Sequence, residues 1–339
     1  MTEYNGNFDV LVLGGGICAQ SILFEMIKDA HFDLDSLSVA QISSSDVFTP
    51  CTDNTTSVLS LSGASKGIND LGDMIVDSFH YTVSYVKKHN LTSFYEGNHY
   101  YVFPKKEEKQ ASFIRRHGSA FDFEAQGLSL KGFKSKNFVI DSKGLDLELK
   151  SEISKSNIKN IKDVIVDISK DKVVTCLSGK KFKARKIISC LGAYSNVFLR
   201  KFECDHLEFS KKVPGDFLTF NECDLGEESF VISSGHHNLV YRAFSKTVLI
   251  GGTTLKTEWD AIDYIDIKDQ YNCYKEIFKE RLPSFDLGLI SSGMRHKGRK
   301  RRAFCGEISK DIFSVHGIYK NGYSFSFFLA PRVIKYLLD

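Results

Sequence analysis

The segment that most constrains the fold lies at residues 8–29. Phe8-Asp9-Val10-Leu11-Val12-Leu13 is an apolar run of strand length, and Gly14-Gly15-Gly16 follows at once. Residues 17–29 then place Ile17, Ile22, Leu23, Met26 and Ile27 at helical spacing, and Leu37 to Ile42 reads as a second strand. Strand, glycine turn, helix and strand make a βαβ unit, which predicts a parallel sheet and an α/β fold. The turn fits G-x-G-x-x-(G/A). Gly14 permits the tight turn, and Gly16 lets the backbone approach a pyrophosphate. Ala19 is small enough for close helix–strand packing. The first helical residues, Ile17 and Cys18, bring free N–H groups and the positive end of the helix dipole to that anion. The dinucleotide pattern also expects an acid on the second strand for a ribose hydroxyl. The place falls on Gln41, whose amide can still hydrogen-bond a hydroxyl.

The rest of the chain bounds what surrounds this unit. At 339 residues it has room for about two domains, and 42% hydrophobic with 26% charged residues is ordinary globular composition. A net charge of +3 does not by itself mark a nucleic-acid binder. No apolar run reaches the ~18 residues of a membrane-spanning helix. The first residues are polar, unlike a secretory signal, so a cytoplasmic location is expected. Eight cysteines without a Cys-x-x-Cys pair predict neither a disulfide framework nor a zinc site.

No linker rich in Pro, Gly or Ser separates two halves, so the two domains are expected to interleave. An amphipathic helix is predicted over 66–89, and alternating strands and charged turns from Tyr100 to Phe138. A helix follows over Leu145 to Ile153. A hairpin is expected from Val164 to Ile168 and Val173 to Cys176, then a buried strand over Lys186 to Leu191. Strands recur between 216 and 253, a helix spans 261–281, and Leu329 to Leu338 closes the chain as a short helix.

Three further stretches carry a family pattern. Ile187-Ile188-Ser189-Cys190-Leu191-Gly192-Ala193-Tyr194-Ser195 resembles the "A-A-G-A-W-S" strand-turn of FAD-dependent amine oxidases, and Leu249 to Thr254 resembles their "I-G-G-T" strand. Gly293-Met294-Arg295, Gly306, Gly317 to Gly322 and Leu329-Ala330-Pro331 resemble their "G-L-R-P…G…G-x-x-x-N-G…L-A-P" ending. With the N-terminal turn, these resemble the D-amino-acid oxidase-like superfamily from Asp9 to Leu338, nearest in pattern to glycine and sarcosine oxidases.

The resemblance implies non-covalent FAD in a Rossmann-like unit of separated segments (1–85, 140–205 and 288–339). A substrate unit (86–139 and 206–287) would carry a large, mostly antiparallel sheet. It implies adenine contacts at Val164 and Ile165, and cofactor contacts at Gly192, Gly317, Asn321, Gly322 and Tyr323. Thr52, Thr55, Thr56 and Ser57 would lie near the ribityl and pyrophosphate, or form a plain polar loop. The implied activity is oxidation of the C–N bond of a small amine or amino acid, by hydride transfer to flavin N5 and imine hydrolysis. Oxygen or another acceptor would reoxidise the flavin. Arg295 matches the family arginine that forks onto a substrate carboxylate. Lys320 stands where glycine-oxidase-like proteins often carry Arg. Asn238, Tyr241 and Arg242 lie on a strand whose alternate residues should line the pocket.

The chain departs from the pattern after Arg295, where His296 replaces Pro and the run continues Lys297-Gly298-Arg299-Lys300-Arg301-Arg302. Such a run is a solvated loop or a site for a larger anion: a peptide, a phosphorylated metabolite or RNA. Because a related branch oxidises a carboxymethylamino group on a tRNA wobble base, a tRNA-directed oxidase is a rival reading. A flavin-binding accessory subunit without turnover is another.

Overall fold

Strand β1 (Gly6–Leu13) sends Val10 and Val12 to one side and Leu11 and Leu13 to the other, and all four are buried. A strand buried on both faces must sit inside a layered α/β unit. The computed structural model describes residues 4–44, 51–61, 63–125, 127–255 and 262–338. Within them the remaining strands are β2 (Val39–Ser43), β3 (Val58–Ser60), β4 (Phe94–Val102), β5 (Phe121–Ala125), β6 (Leu128–Ile140), β7 (Lys159–Lys162), β8 (Ile165–Ile168), β9 (Val173–Cys176), β10 (Lys181–Ser189), β11 (Lys211–Phe220), β12 (Phe230–Ser234), β13 (His237–Arg242), β14 (Thr247–Gly251), β15 (Leu289–Lys297), β16 (Phe304–Ser309) and β17 (Ile312–His316). The helices are α1 (Ile17–Lys28), α2 (Asp70–Lys88), α3 (Glu107–His117), α4 (Ser142–Ser154), α5 (Ser195–Leu199), α6 (Asp205–Glu208), α7 (Tyr264–Phe278) and α8 (Gly322–Leu338).

The first sheet has the order β16-β17-β10-β1-β2-β7, with the β8–β9 hairpin added beside β10. Its central pairs β2–β1, β1–β10 and β10–β17 are parallel. On one face Val10, Val12, Ile188 and Val315 pack with α1 and α8 through Ile22, Leu23, Met26, Phe325, Leu329 and Val333. On the other face Leu11, Leu13, Ile187 and Ile312 pack with the hairpin and with Leu199, Phe202 and Leu207.

The second sheet has the order β15-β11-β14-β13-β12-β4-β6-β3, with β5 beside β6, and is antiparallel except at β12–β4. Alternation divides it as well. Leu218, Phe220, Phe230, Ile232, Leu239, Tyr241, Val248 and Ile250 pack against Ile267, Tyr271, Tyr274 and Phe278 of α7. Their neighbours Phe217, Val231, Val240 and Leu249 form the opposite face.

The expected architecture is therefore present: α/β, with a large, mostly antiparallel second sheet. Two elements differ from the sequence reading. Between Tyr100 and Phe138 the chain inserts α3, a mostly exposed helix in which Phe113 is the buried apolar residue, so its periodic signal is weak. The closing helix begins at Gly322 rather than near Leu329 and runs 17 residues through Pro331. Proline removes one backbone donor, but extensive apolar burial on the first sheet holds the helix together. The helices expected over 66–89, Leu145–Ile153 and 261–281 are present as α2, α4 and α7 within the described residues; position 261 lies outside them.

Candidate active site

One elongated cavity runs between the two sheets. Its walls include Gly14, Gly16, Ile17 and Cys18 from the first turn, Ser43 and Ser44 after β2, and Thr52, Thr55 and Thr56. Ile165, Gly192, Gly317 and the stretch from Lys320 to Tyr323 continue the lining. Phe217, Val231, Asn238, Val240, Gly252, Arg295 and His99 close the far end. Most of the residues singled out from the sequence thus face one space with Arg295: Gly14, Gly16, Ile17, Cys18, Thr52, Thr55, Thr56, Ile165, Gly192, Asn238, Gly317, Lys320, Asn321, Gly322 and Tyr323.

The glycine turn is formed as its sequence requires. Gly14 has φ +121, and a Cβ there would come within 2.5 Å of the Cys190 carbonyl oxygen. Helix α1 starts after Gly16 with no side-chain cap and no acid in its first turn. The Ile17 N–H donates to Thr52 Oγ1 at 3.0 Å. Helix α8 likewise has no acid in its first turn. Helices α1 and α8 therefore bring N-termini without an acidic residue in their first turns to the same cavity, an environment that favours negative charge. Around Gly192, at φ +54, no atom of the described residues beyond its chain neighbours stands within 4 Å of the Cβ position. These features fit a flat, pyrophosphate-bearing cofactor.

Ala19 lies under the turn, fully buried against the first sheet, as close helix–strand packing demands. Ser57 is buried just behind the wall, its hydroxyl 3.2 Å from the Tyr323 hydroxyl. Val164, next to β8, does not face the cavity; Ile165 does. Gly317 lines the cavity, but its missing Cβ chiefly accommodates backbone: a Cβ there would stand 2.8 Å from Gly298 Cα.

Gln41 and Tyr241 do not line the cavity. Gln41 is buried below the turn, and its Nε2 donates to the Gly14 carbonyl at 2.8 Å. It braces the turn. Strand β2 continues to Ser43, two residues on and on the same face, and Ser43 and Ser44 line the cavity. Tyr241 points the other way. Its ring is fully buried against Phe230 in the α7-facing core, and its hydroxyl donates to the Gly226 carbonyl at 2.9 Å. Strand alternation gives the cavity to Asn238 and Val240 instead.

At the far end Arg295 crosses over Gly215, where any Cβ would overlap the guanidinium. Its Nε donates to the Val213 carbonyl at 3.4 Å, and its Nη2 donates to the carbonyls of Pro214, at 3.0 Å, and Thr253. Among the described residues Nη1 has no hydrogen-bond partner, so there the guanidinium offers a ligand one nitrogen rather than a fork. Lys320 stands at the cavity wall. Burial and the charges of Arg295, Arg301 and Lys297 lower its ammonium pKa to about 8.

Sequence reasoning missed the cavity histidines. His99 Nε2 lies 2.6 Å from Ser233 Oγ, and Ser233 Oγ donates to Asn238 Oδ1 at 2.6 Å, so His99 carries its proton on Nε2. Burial, and then His117, lower its pKa to about 3. His296 Nε2 bonds Asn196 Oδ1 and Ser210 Oγ, both at 2.9 Å. Burial holds His296 near 4 and His316 near 3. All three rings are neutral at neutral pH. They come from β4, β15 and β17, and no local motif marks them.

No protein-family model matches the sequence, and no curated protein sequence matches it. Solved structures do. Glycine oxidase from Geobacillus kaustophilus superposes with a TM-score of 0.77 at 15% identity, covering 98% of this chain and 94% of that one. L-proline dehydrogenase from P. horikoshii gives 0.72 at 13%, covering 96% and 91%. L-α-glycerophosphate oxidase from Mycoplasma pneumoniae, with FAD bound, gives 0.70 at 15%, covering 98% and 94%. The chain thus shares the overall fold of glycine oxidase.

Proposed function

We propose that the protein is an FAD-dependent oxidoreductase that oxidises the C–N bond of a small amine or amino acid bearing a carboxylate. The observation that carries the reading is the single cavity joining the Gly14–Gly16 turn to Arg295, with helix N-termini of α1 and α8 along it. A fold shared with glycine oxidase and proline dehydrogenase supports it. In this reading residues 1–85, 140–205 and 288–339 form the cofactor unit, with β3 and β15 reaching from it into the second sheet. Residues 86–139 and 206–287 form the substrate unit.

The remaining N–H groups at the start of α1 would hold the pyrophosphate, and Ser43 or Ser44 would meet the ribose hydroxyls. Ile165 would hold the adenine, and Gly192, Thr55 and Thr56 the chain between. The segment from Gly317 through Asn321, Gly322 and Tyr323 would hold the ring, with the α8 N-terminus favouring negative charge there. When bound, FAD supplies N5 as acceptor for the hydride of the carbon beside the amine, and the resulting imine is hydrolysed.

The chain's own task is to present that carbon. Arg295 Nη1 and the Lys320 ammonium take the substrate carboxylate, and their positive charge disfavours a protonated amine nearby. The neutral histidines add no competing charge. The amine is thereby held neutral, and no separate strong base is required. Non-covalent attachment is favoured by the cavity thiols. Burial pushes Cys51 up to about 11, and the hydrogen-bonded Cys18 thiol, with burial, raises Cys190, so neither is a ready nucleophile.

The test is the visible spectrum of the purified protein without oxygen, before and after a panel of amines and amino acids. Bleaching of a flavin band by one of them is expected. A yellow protein that no amine bleaches removes the amine reading. A colourless protein that FAD cannot reconstitute removes the cofactor reading. Acid precipitation should leave the yellow colour in the supernatant.

A further inference from the structure

Positive charge at the far end of the cavity exceeds what one carboxylate needs. Arg295, Lys297 and Lys320 all place their charges within 5.5–5.9 Å of the Tyr319 ring centre. A bridge between Lys297 and Ile318 brings the edge of β15 against the segment that carries Lys320. Beyond them a shallow cleft is lined by Phe209, Lys211, Lys297, Lys300 and Arg301. Among the described residues, no carboxylate forms an ion pair with any of these six cations, whereas Arg302, next in the run, pairs with Asp70. Asp216 acts on Arg295, but it is fully buried and already accepts from the Asp263 N–H, the Ser292 hydroxyl and the Thr253 hydroxyl.

The fold concentrates this charge against its own repulsion. Lys211 and Lys297 face each other directly across β11 and β15, an unfavourable like-charge pair. Lys300 and Arg301 hold left-handed φ angles of 51 and 64, which side-chain-bearing residues rarely adopt. Lys297 is half-buried, and burial, Arg301 and Lys211 all lower its pKa. Local strain and unneutralised charge gathered beside a cavity point to an anion that neutralises them.

We propose that Lys297 and Arg301, extended by Lys211 and Lys300, form a second anion subsite, and that the substrate is an amine carrying two acidic groups. One acid meets Arg295 and Lys320 in the cavity, and the other, carboxylate or phosphate, meets the outer cations. The identity of the substrate as an amine rests on the function proposed above; the second subsite does not.

The test therefore separates binding from turnover. In the FAD-loaded protein, calorimetry compares glycolate, malate and phosphoglycolate, none of which has an amine. Malate or phosphoglycolate is expected to bind at least about tenfold tighter than glycolate, and whichever is tighter identifies the second acid. In the double variant Lys297→Gln with Arg301→Gln, that preference should fall to within about twofold. The charge-matched pair Lys170→Gln with Lys180→Gln, exposed on the β8–β10 side, should keep it. Equal affinity for all three probes overturns the second subsite, as does an unchanged preference in the double variant. So does tight, steeply salt-dependent binding of a transfer RNA alongside indifference to the small diacids. A diacid preference in a protein whose flavin no amine bleaches would leave the subsite standing and remove the amine. Bleaching by amines without a diacid preference would do the reverse.

Discussion

The two ends of the cavity are assembled differently. The turn end comes from one contiguous βαβ unit: β1, the glycines 14–16, the start of α1, and β2 with the serines after it. The far end gathers His99 from β4, Gly215 and Phe217 from β11, Asn238 and Val240 from β13, Gly252 after β14, Arg295 from β15 and Lys320 before α8. In the proposed reading the first end binds mainly through backbone, so its geometry depends on φ angles and missing Cβ atoms. The second would bind through side chains, so its geometry depends on register across strands distant in sequence.

The comparison breaks most sharply at Gly14. Gly14→Val combines φ +121 with a Cβ driven onto the Cys190 carbonyl. The strain should cost about 3 kcal/mol or more. The variant is expected to purify without yellow colour and to melt well below the parent, read by absorbance and by thermal unfolding. Retained flavin would show that the turn end tolerates a side chain, and the contrast with the far end would fall.

Arg295 is the corresponding test of the far end. Arg295→Lys keeps the charge but loses Nη1 and the three carbonyl contacts that hold the guanidinium over Gly215. For a substrate with a carboxylate, kcat/KM should fall by about 2 kcal/mol or more while flavin content stays constant. An active enzyme indifferent to the change would exclude the carboxylate role.

The same contrast explains what could be read from the sequence. Gly14, Gly16, Ile17, Cys18 and Ala19 were legible because each role follows from adjacent residues. Gln41 shows the limit of that reading. A strand keeps one face every second residue, so a wall position can be assigned two residues early; the apolar run stops at Ile42, but the strand continues to Ser43. Tyr241 shows another. In Asn238-Leu239-Val240-Tyr241 both alternating sets contain apolar residues, and only packing against α7 decides which set is core. Thr55 and Thr56, equally readable as a polar loop, are tied to the second sheet because Arg242 Nη2 donates to both their carbonyls, at 3.3 and 3.4 Å. His99 and Phe217 gave no signal, since nothing local distinguishes a core residue from one beside a cavity.

Lys320 sharpens the comparison through pH. Its ammonium is depressed to about 8, so the charge is present below that pH and is lost as pH rises through it. Affinity for an acid should fall by up to about tenfold between pH 7 and pH 9.5, measured with glycolate, which has no amine to titrate. Lys320→Arg should flatten the profile, because arginine stays charged, and Lys320→Gln should flatten it at the weaker level. If the turn end binds FAD mainly through backbone N–H groups, as proposed, FAD affinity should not follow this titration.

The smallest expected effect tests the boundary between the far end and its supporting core. Tyr241 lies one residue from Val240 in the chain but on the opposite face of β13. Tyr241→Phe removes the hydroxyl that donates to the Gly226 carbonyl, leaving that acceptor near a chain segment that reaches solvent. The ring keeps its packing against Phe230, so the loss should be about 1 kcal/mol of unfolding free energy. Because the hydroxyl never reaches the cavity, KM, kcat and the flavin spectrum should be unchanged. A fall in kcat with unchanged stability would mean that the β13 register is inverted, placing Tyr241 rather than Asn238 and Val240 at the cavity. Such an inversion would also turn the Val240 side chain into the α7-facing core, so Val240→Ala would then destabilise the fold instead of reshaping the cavity.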